Sequence, residues 1–108
     1  MDATLALAVQ FKSLPALVDA VRGEASAINT QWGAMTERLG RRDDARALYL
    51  RALSIQENPQ AHYNLAVTYW NQDWDQVILH LRRALEINPQ MQDARMYLIK
   101  AQAQVGKK

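Results

Sequence analysis

Two similar short stretches of the sequence lie about 30 residues apart. Residues 51–59 read RALSIQENP and residues 83–89 read RALEINP, so Ala52 and Ala84 lie 32 residues apart and Pro59 and Pro89 lie 30 apart. A period in this range is typical of a two-helix unit used more than once, and each copy of such a unit needs a neighbour to bury its apolar face. The repeat therefore indicates a binding scaffold rather than a catalyst.

The composition agrees with a small helical domain. A length of 108 residues allows one domain or a short array of repeats, and 4 Gly and 3 Pro are few enough to favour helix. The net charge of +2 is too small to require a polyanionic partner. Because the chain has no cysteine, disulfides, thiolate metal sites and cysteine nucleophiles are excluded, while the compartment stays open.

Residues that commonly start or end helices divide the second half of the chain into segments. Asn58–Pro59 and Asn88–Pro89 each offer an N-cap amide followed by a proline suited to the first turn. Asp73, with a glutamine three residues later, has the form of a capping box, and the glycines at 40 and 106 suit helix C-termini. These signals predict helices near 42–56, 59–71, 74–87 and 90–105.

The first third of the chain carries an apolar seam with alternating spacings of four and three residues. Its members are Leu14, Val18, Val21, Ala25, Ile28, Trp32, Met35 and Leu39. This heptad-like pattern predicts one long helix that starts with Ser13 as its N-cap, and a break at Gly23 is the alternative. A short helix over 3–12 is expected before it, and we interpret residues 1–12 as a packed helix because they lack a basic leader and the ~20 residues that cross a bilayer.

The second unit resembles the tetratricopeptide repeat. Its first helix has the leucine, small residue and aromatic of that family, and its second helix has the small, bulky, alanine and closing proline positions, filled by Leu65, Ala66, Tyr69, Val77, Leu81, Ala84 and Pro89. An upstream unit fits more loosely, through Trp32, Gly33, Gly40, Ala45, Tyr49 and Ala52, and a third first helix fits through Leu98, Ile99 and Gly106. Small residues at such positions let helix axes approach to about 8–10 Å.

The resemblance implies an all-α fold of antiparallel helix-turn-helix repeats, stacked as a short right-handed solenoid. We expect a single domain over 1–108, made of an N-terminal helical cap (1–25), a divergent repeat (26–57), a clear repeat (58–89) and a capping helix (90–106). The concave face of such a solenoid is lined by the first helix of each pair and binds segments of other proteins.

The resemblance also implies which side chains face the concave groove. The predicted groove residues are Gln31, Arg38, Tyr63, Asn64, Val67, Trp70, Asn71, Tyr97 and Lys100, and Thr30, Ala34, Glu37, Met96, Ala103 and Gln104 belong to the same three stripes. Asn64 stands where the family often places an asparagine that holds a peptide backbone; a solvated surface amide is the alternative. For Tyr63 and Trp70 the alternative to ligand contact is a place in the core.

Other functions find little support in the sequence. No nucleophile elbow, phosphate loop or zinc pattern is present, so we expect no enzyme activity and no cofactor. His62 and His80 are better interpreted as core or surface residues than as metal ligands. Six arginines, at 41, 42, 46, 51, 82 and 83, fall on second helices, away from the aromatic residues; we therefore interpret them as a solvated outer face and expect no nucleic-acid partner.

Two hypotheses follow. The first is a protein-interaction module that binds a partner peptide or helix in its concave groove. The second is a structural or oligomerisation module, either part of a longer repeat array or a subunit that pairs with a second copy of itself, because fewer than three complete repeats are present and the end faces need cover.

Overall fold

The computed structural model describes the backbone of residues 3–106 and the side chains of residues 14–106. It has five helices: α1 (Ala3–Arg38), α2 (Arg42–Ile55), α3 (Pro59–Thr68), α4 (Trp74–Ile87) and α5 (Gln92–Gly106). Consecutive helices pack against each other, and the described residues contain no strand. The predicted all-α fold of helical repeats is confirmed. Within the described part of the chain, no helix has both the length and the apolar content needed to cross a membrane.

The predicted long helix is confirmed as α1, but it begins before the predicted N-cap at Ser13. It runs without a break through Gly23, and it also runs through Ser13 and Pro15, so the predicted short helix over 3–12 and the N-cap at Ser13 were wrong. Pro15 lacks the N–H that would bond to the carbonyl four residues earlier, but its ring fixes a φ angle that suits a helix. Proline is thus accommodated inside the helix at the loss of one hydrogen bond.

A glycine ends α1 as its position in the sequence predicts. Gly40 has a φ of 80°, in the left-handed region, and its N–H bonds to the carbonyl of Glu37 at 2.9 Å. The N–H of Arg41 reaches back to the carbonyl of Thr36 at 3.1 Å. These two bonds form a Schellman motif, which turns the chain back so that α2 runs antiparallel to α1.

Helix α3 begins as predicted and ends earlier than predicted. The Asn58 side chain accepts hydrogen bonds from the N–H groups of Gln60 and Ala61, and Pro59 occupies the first turn. The last helical residue is Thr68 rather than residue 71, because Asn71 has a φ of 67° and turns the chain there. Asparagine tolerates this left-handed conformation, so it replaces the glycine that the turn lacks.

Helix α5 begins two residues after its predicted start. Asn88 does not cap α5; its side chain accepts from the N–H of Gln90 at 3.1 Å, and its carbonyl accepts from Met91 at 3.3 Å. Pro89 therefore sits at the second position of a tight turn, which proline's fixed φ favours. The helix follows at Gln92.

Small residues line the places where helices meet. Ala66, Ala84, Ala94 and Ala101 are fully buried between α3, α4 and α5, around Val77 and Leu81. A second group joins α2 to α3 and contains Ala45, Tyr49 and Leu65. The predicted close approach at alanine positions is confirmed, and the packing of α5 on α4 makes α5 part of the fold.

Helix α1 has two different faces. The face toward α2 and α3 carries small or polar residues, of which Ser26, Thr30 and Gly33 are buried. The opposite face carries the apolar seam, whose large members are 38–76% exposed. The large apolar side chains of this seam therefore remain largely exposed to solvent in the single chain.

Candidate functional site

A concave pocket opens between α1, α2 and α3. It encloses about 310 Å³ and is lined by Ala34, Glu37, Arg38, Tyr49, Tyr63, Asn64 and Val67. The three helices contribute side chains of different chemistry: α1 supplies both charged groups, α2 the tyrosine at the base, and α3 an amide and two apolar surfaces. A depression of this kind can accept a side chain and the adjoining backbone of a bound segment.

Tyr49 forms the base of the pocket because α1 leaves room for its ring. The ring lies directly against Gly33, where any Cβ atom would overlap it. Its hydroxyl donates a hydrogen bond of 2.8 Å to Glu37 Oε1. Burial of the phenol, together with this bond to Glu37, raises the pKa of Tyr49 far above its ordinary value, so the hydroxyl stays a donor.

Asn64 lies on the wall of the pocket, one helical turn after Gln60. The Gln60 side chain donates to Asn64 Oδ1 at 2.9 Å, which restrains the amide. The Asn64 amide also approaches the Tyr49 hydroxyl closely enough to oppose the rise of its pKa. The amide is half-buried and polar, with its position set by neighbours on α2 and α3.

Four aromatic rings continue the surface from α3 to α5. The Tyr63 and Tyr97 ring centroids are 5.9 Å apart, Trp70 meets Tyr97 edge-on at 5.3 Å, and Trp70 meets Trp74 at 4.8 Å. Burial, and then the neighbouring Tyr97, raise the pKa of Tyr63 to about 12. These rings are half-buried against the α3–α5 core. They therefore help to hold α5 on α3 and α4, and their exposed edges remain open to a ligand.

The predicted groove residues are distributed over three places. Arg38, Tyr63, Asn64 and Val67 line the pocket together. Tyr97 and Trp70 belong to the aromatic surface, and the Lys100 ammonium lies over the Tyr97 ring at 5.5 Å. Gln31 is exposed on α1, one turn before the pocket, and Asn71 is exposed in the turn after α3 rather than on the helix.

One residue of the predicted stripe does not face the groove. Thr30 is buried; its hydroxyl donates to the carbonyl of Ser26 at 2.8 Å and accepts from Asn58 Nδ2 at 3.2 Å. Ser26 in turn donates to the carbonyl of Gln56 at 3.0 Å. Thr30 is therefore part of a polar contact that joins α1 to the α2–α3 turn. The sequence did not show this contact, because Asn58 lies 28 residues after Thr30 and Gln56 lies 30 residues after Ser26.

Arg46 departs from the predicted solvated arginine face. Its guanidinium donates to the hydroxyl and the carbonyl of Thr68 and to the side chain of Gln72, and it lies 4.2 Å from the centroid of the Tyr69 ring. Because α3 stops at Thr68, the carbonyls of its last turn lack helical partners. Arg46 supplies donors to one of them and ties α2 to the end of α3.

A second polar cluster was not predicted from the sequence. His62 and His80 meet with 3.0 Å between their Nδ1 atoms, and His62 Nε2 lies 2.7 Å from Glu57 Oε2. Glu57 also pairs with Arg83 at 3.5 Å. The four residues come from the α2–α3 turn (Glu57), α3 (His62) and α4 (His80 and Arg83). Among the described residues no group has the arrangement of a metal site. The only available signal was the pair of histidines itself.

This cluster makes stability depend on pH. Burial, and then the nearby His62, lower the pKa of His80 below its ordinary value of 6.5. The unfolded chain therefore takes up a proton at a higher pH than the folded chain, and stability falls as the pH drops below 6.5. We expect the melting temperature to decline between pH 7 and pH 5.5, and to decline less in His80→Gln. Equal declines in thermal melts of the two proteins would contradict this role of His80.

The helices and the pocket define a class of protein: a helical repeat protein with a concave pocket between its first three helices. A family model described as a tetratricopeptide repeat matches residues 61–95. The match begins in α3, covers α4 and ends in α5. Over these residues the chain is similar to a tetratricopeptide repeat. No curated protein matches the chain. Tetratricopeptide repeats generally mediate protein–protein interaction and are typically not enzymes.

Proposed function

We propose that the chain is a protein-interaction module, and that the pocket between α1, α2 and α3 binds an extended segment of a partner protein. The observation that carries the proposal is the convergence of Arg38, Tyr63, Asn64 and Val67, from two helices, on one pocket. Arg38 lies 25 residues before Tyr63 in the sequence, so α1 and α3 bring these side chains together only in the folded chain.

The chemistry of the pocket suits a peptide backbone. The Asn64 amide offers both a donor and an acceptor, which a backbone peptide group can satisfy together. Val67 and the ring of Tyr63 provide apolar walls that shield such bonds from water. Arg38 is exposed at the rim and is placed to meet an acidic side chain or a terminal carboxylate of the bound segment.

The aromatic surface extends the groove toward α5. Tyr97, with Lys100 above it, lies beside Tyr63, so a segment leaving the pocket in that direction meets an aromatic edge and a cation. Aromatic residues and arginine are the types most enriched among side chains that dominate binding energy. The division of the chain into two caps and two repeats, the right-handed superhelix and the absence of a nucleic-acid partner remain part of this proposal.

Asn64→Ala should weaken binding without loss of stability. A displayed library of short random peptides, selected on the immobilised chain, provides the probe, and titration calorimetry measures the affinity of the best peptide. Losing a pair of shielded hydrogen bonds typically costs ~1–3 kcal/mol, about a ten- to hundredfold increase in Kd. Because the Asn64 side chain lies at the pocket wall rather than in the core, we expect the melting temperature to stay nearly unchanged.

The matched control is Arg82→Glu, on the exposed face of α4, where we expect only a small, salt-dependent change in Kd. If the parent and Asn64→Ala bind equally while Arg82→Glu loses binding, the site lies on the outer face and the pocket proposal is wrong.

A further inference from the structure

The apolar seam of α1 is an unpaired coiled-coil surface. Its eight residues follow a strict alternation of four and three, so they occupy the a and d positions of a heptad: Val18, Ala25, Trp32 and Leu39 at a, and Leu14, Val21, Ile28 and Met35 at d. Seven of them are large, and all seven are exposed in the single chain. A heptad seam of this length is ordinarily buried against another helix.

The segment of α1 from residue 14 to residue 22 lacks packing within the described fold. Each of these residues is exposed, and the first buried residue in the part of α1 whose side chains are described is Ser26. A helical segment without tertiary packing is marginal in water, and one that exposes Leu14, Val18 and Val21 exposes apolar area as well. A second helix packed on residues 14–22 would cover this apolar area and stabilise the helix there.

We propose that two copies of the chain pair through this seam as an antiparallel two-helix coiled coil. In an antiparallel pair each a residue faces a d residue of the other helix. Centring the pair between Ala25 and Ile28 uses the whole seam and places Leu14 on Leu39, Val18 on Met35, Val21 on Trp32 and Ala25 on Ile28 of the second copy.

The antiparallel pairing matches side-chain sizes where a parallel one would not. Smaller residues, Val21 and Ala25, face the larger Trp32 and Ile28. A parallel pair would stack Trp32 on Trp32 and Ala25 on Ala25, which gives one overfilled layer and one cavity. Two copies of the seam in antiparallel orientation therefore place small side chains opposite large ones.

The flanking positions tolerate this pairing. The charged residues beside the seam are Arg22, Glu24 and Arg38, and in the antiparallel register they face Asn29, Gln31 and Leu17 of the second copy, so no like charges meet. The remaining helices pack on the opposite face of α1, through Ser26, Thr30 and Gly33, and so leave the seam open to a second helix.

The seam offers a long apolar surface to a second helix. Its seven large side chains, between residues 14 and 39, are 38–76% exposed. A groove of about 490 Å³ widens the surface at the C-terminal end of α1, where Trp32, Met35 and Leu39 meet Leu48 of α2. In the proposed register, Leu14, Val18 and Val21 of one copy lie on this groove of the other.

Sedimentation velocity of the full chain over a concentration series tests the pairing. We expect the parent to sediment as a species of twice the chain mass of 12.3 kDa, and Ile28→Glu, at the middle of the seam, to be monomeric. Leu79→Glu is the matched control: Leu79 is 56% exposed on α4 and Ile28 is 53% exposed, but Leu79 lies outside the seam. Leu79→Glu should remain dimeric. Circular dichroism melts show whether each variant is folded.

Orientation is tested with introduced cysteines, because the natural chain has none. We expect a mixture of Leu14→Cys and Leu39→Cys chains to form a disulfide between the two variants on mild oxidation, and Leu14→Cys alone to form little. A Leu14→Cys chain that links readily to itself would overturn the antiparallel arrangement. A parent that stays monomeric at all concentrations, or a folded Ile28→Glu chain that stays dimeric, would overturn the pairing. None of these measurements depends on peptide binding in the pocket between α1, α2 and α3.

Discussion

Gly33→Ala should lower the free energy of unfolding by roughly 1–3 kcal/mol, although alanine is the better helix former. The reason is the ring of Tyr49, which occupies the space that a Cβ at residue 33 would need. Tyr49 is itself fixed by burial and by its bond to Glu37, so the ring cannot move away freely. Chemical denaturation of the two proteins measures the difference, and the pocket should lose its base at the same time.

Gly23→Ala is the control, in the same helix. The nearest atom to a Cβ at residue 23 is Nε2 of Gln56 at 3.7 Å, an ordinary contact with a flexible side chain. The helix preference of alanine then acts without a steric penalty, and we expect stability to increase by about 0.5–1 kcal/mol. The two glycine-to-alanine substitutions should therefore change the free energy of unfolding in opposite directions. If both stabilise, Tyr49 does not pack against α1 as described.

Local signals were sufficient for most of the fold. Asn58 before Pro59, and the glycine at 40, act within three or four residues of their position, so the sequence shows them directly. The burial of Ala84 followed from the repeat, because an alanine, Ala52, stands at the same place in the preceding unit. Helix bounds were wrong where two local signals compete, as at Asn88, which can cap a helix or start a turn.

The candidate site was predictable in part for a similar reason. Helical spacing places Tyr63, Asn64 and Val67 on one face of α3, and the structure brings that face to the pocket. Spacing also placed Glu37 on the predicted stripe of α1, but it does not reveal what lies between the helices, so the place of Tyr49 at the base and its bond to Glu37 were not predicted. Whether these residues bind a partner remains a prediction.

Contacts between distant residues were not accessible from one sequence. Arg46 was assigned to the outer face because of its helix, yet it bonds to Thr68 only because α3 ends there. The pairing of His62 with His80 depends on the rotation of α3 against α4. The seam of α1 was visible as a pattern, but its exposure was not, since the small residues of the opposite face turned out to pack inward.

Leucine at either of two repeat-related alanines should destabilise the chain strongly. Ala52 on α2 and Ala84 on α4 stand at the same place in the repeated stretch, and both are fully buried. Ala52→Leu and Ala84→Leu each add three carbon atoms at a contact between helices that has no room for them. Overpacking of this kind typically costs ~1–3 kcal/mol or more, because helices must shift or side chains must leave their preferred rotamers. Thermal or chemical unfolding measures the loss.

Ala47→Leu supplies the comparison, because Ala47 is exposed on the same helix as Ala52. Leucine and alanine both favour helix, so a leucine that points to solvent should change stability by less than about 0.5 kcal/mol. If the repeat is the structural unit of this chain, the two buried positions should respond alike, since each sets the distance between neighbouring helices. An Ala84→Leu chain that unfolds with the parent, while Ala52→Leu is destabilised, would show that the two copies pack by different rules.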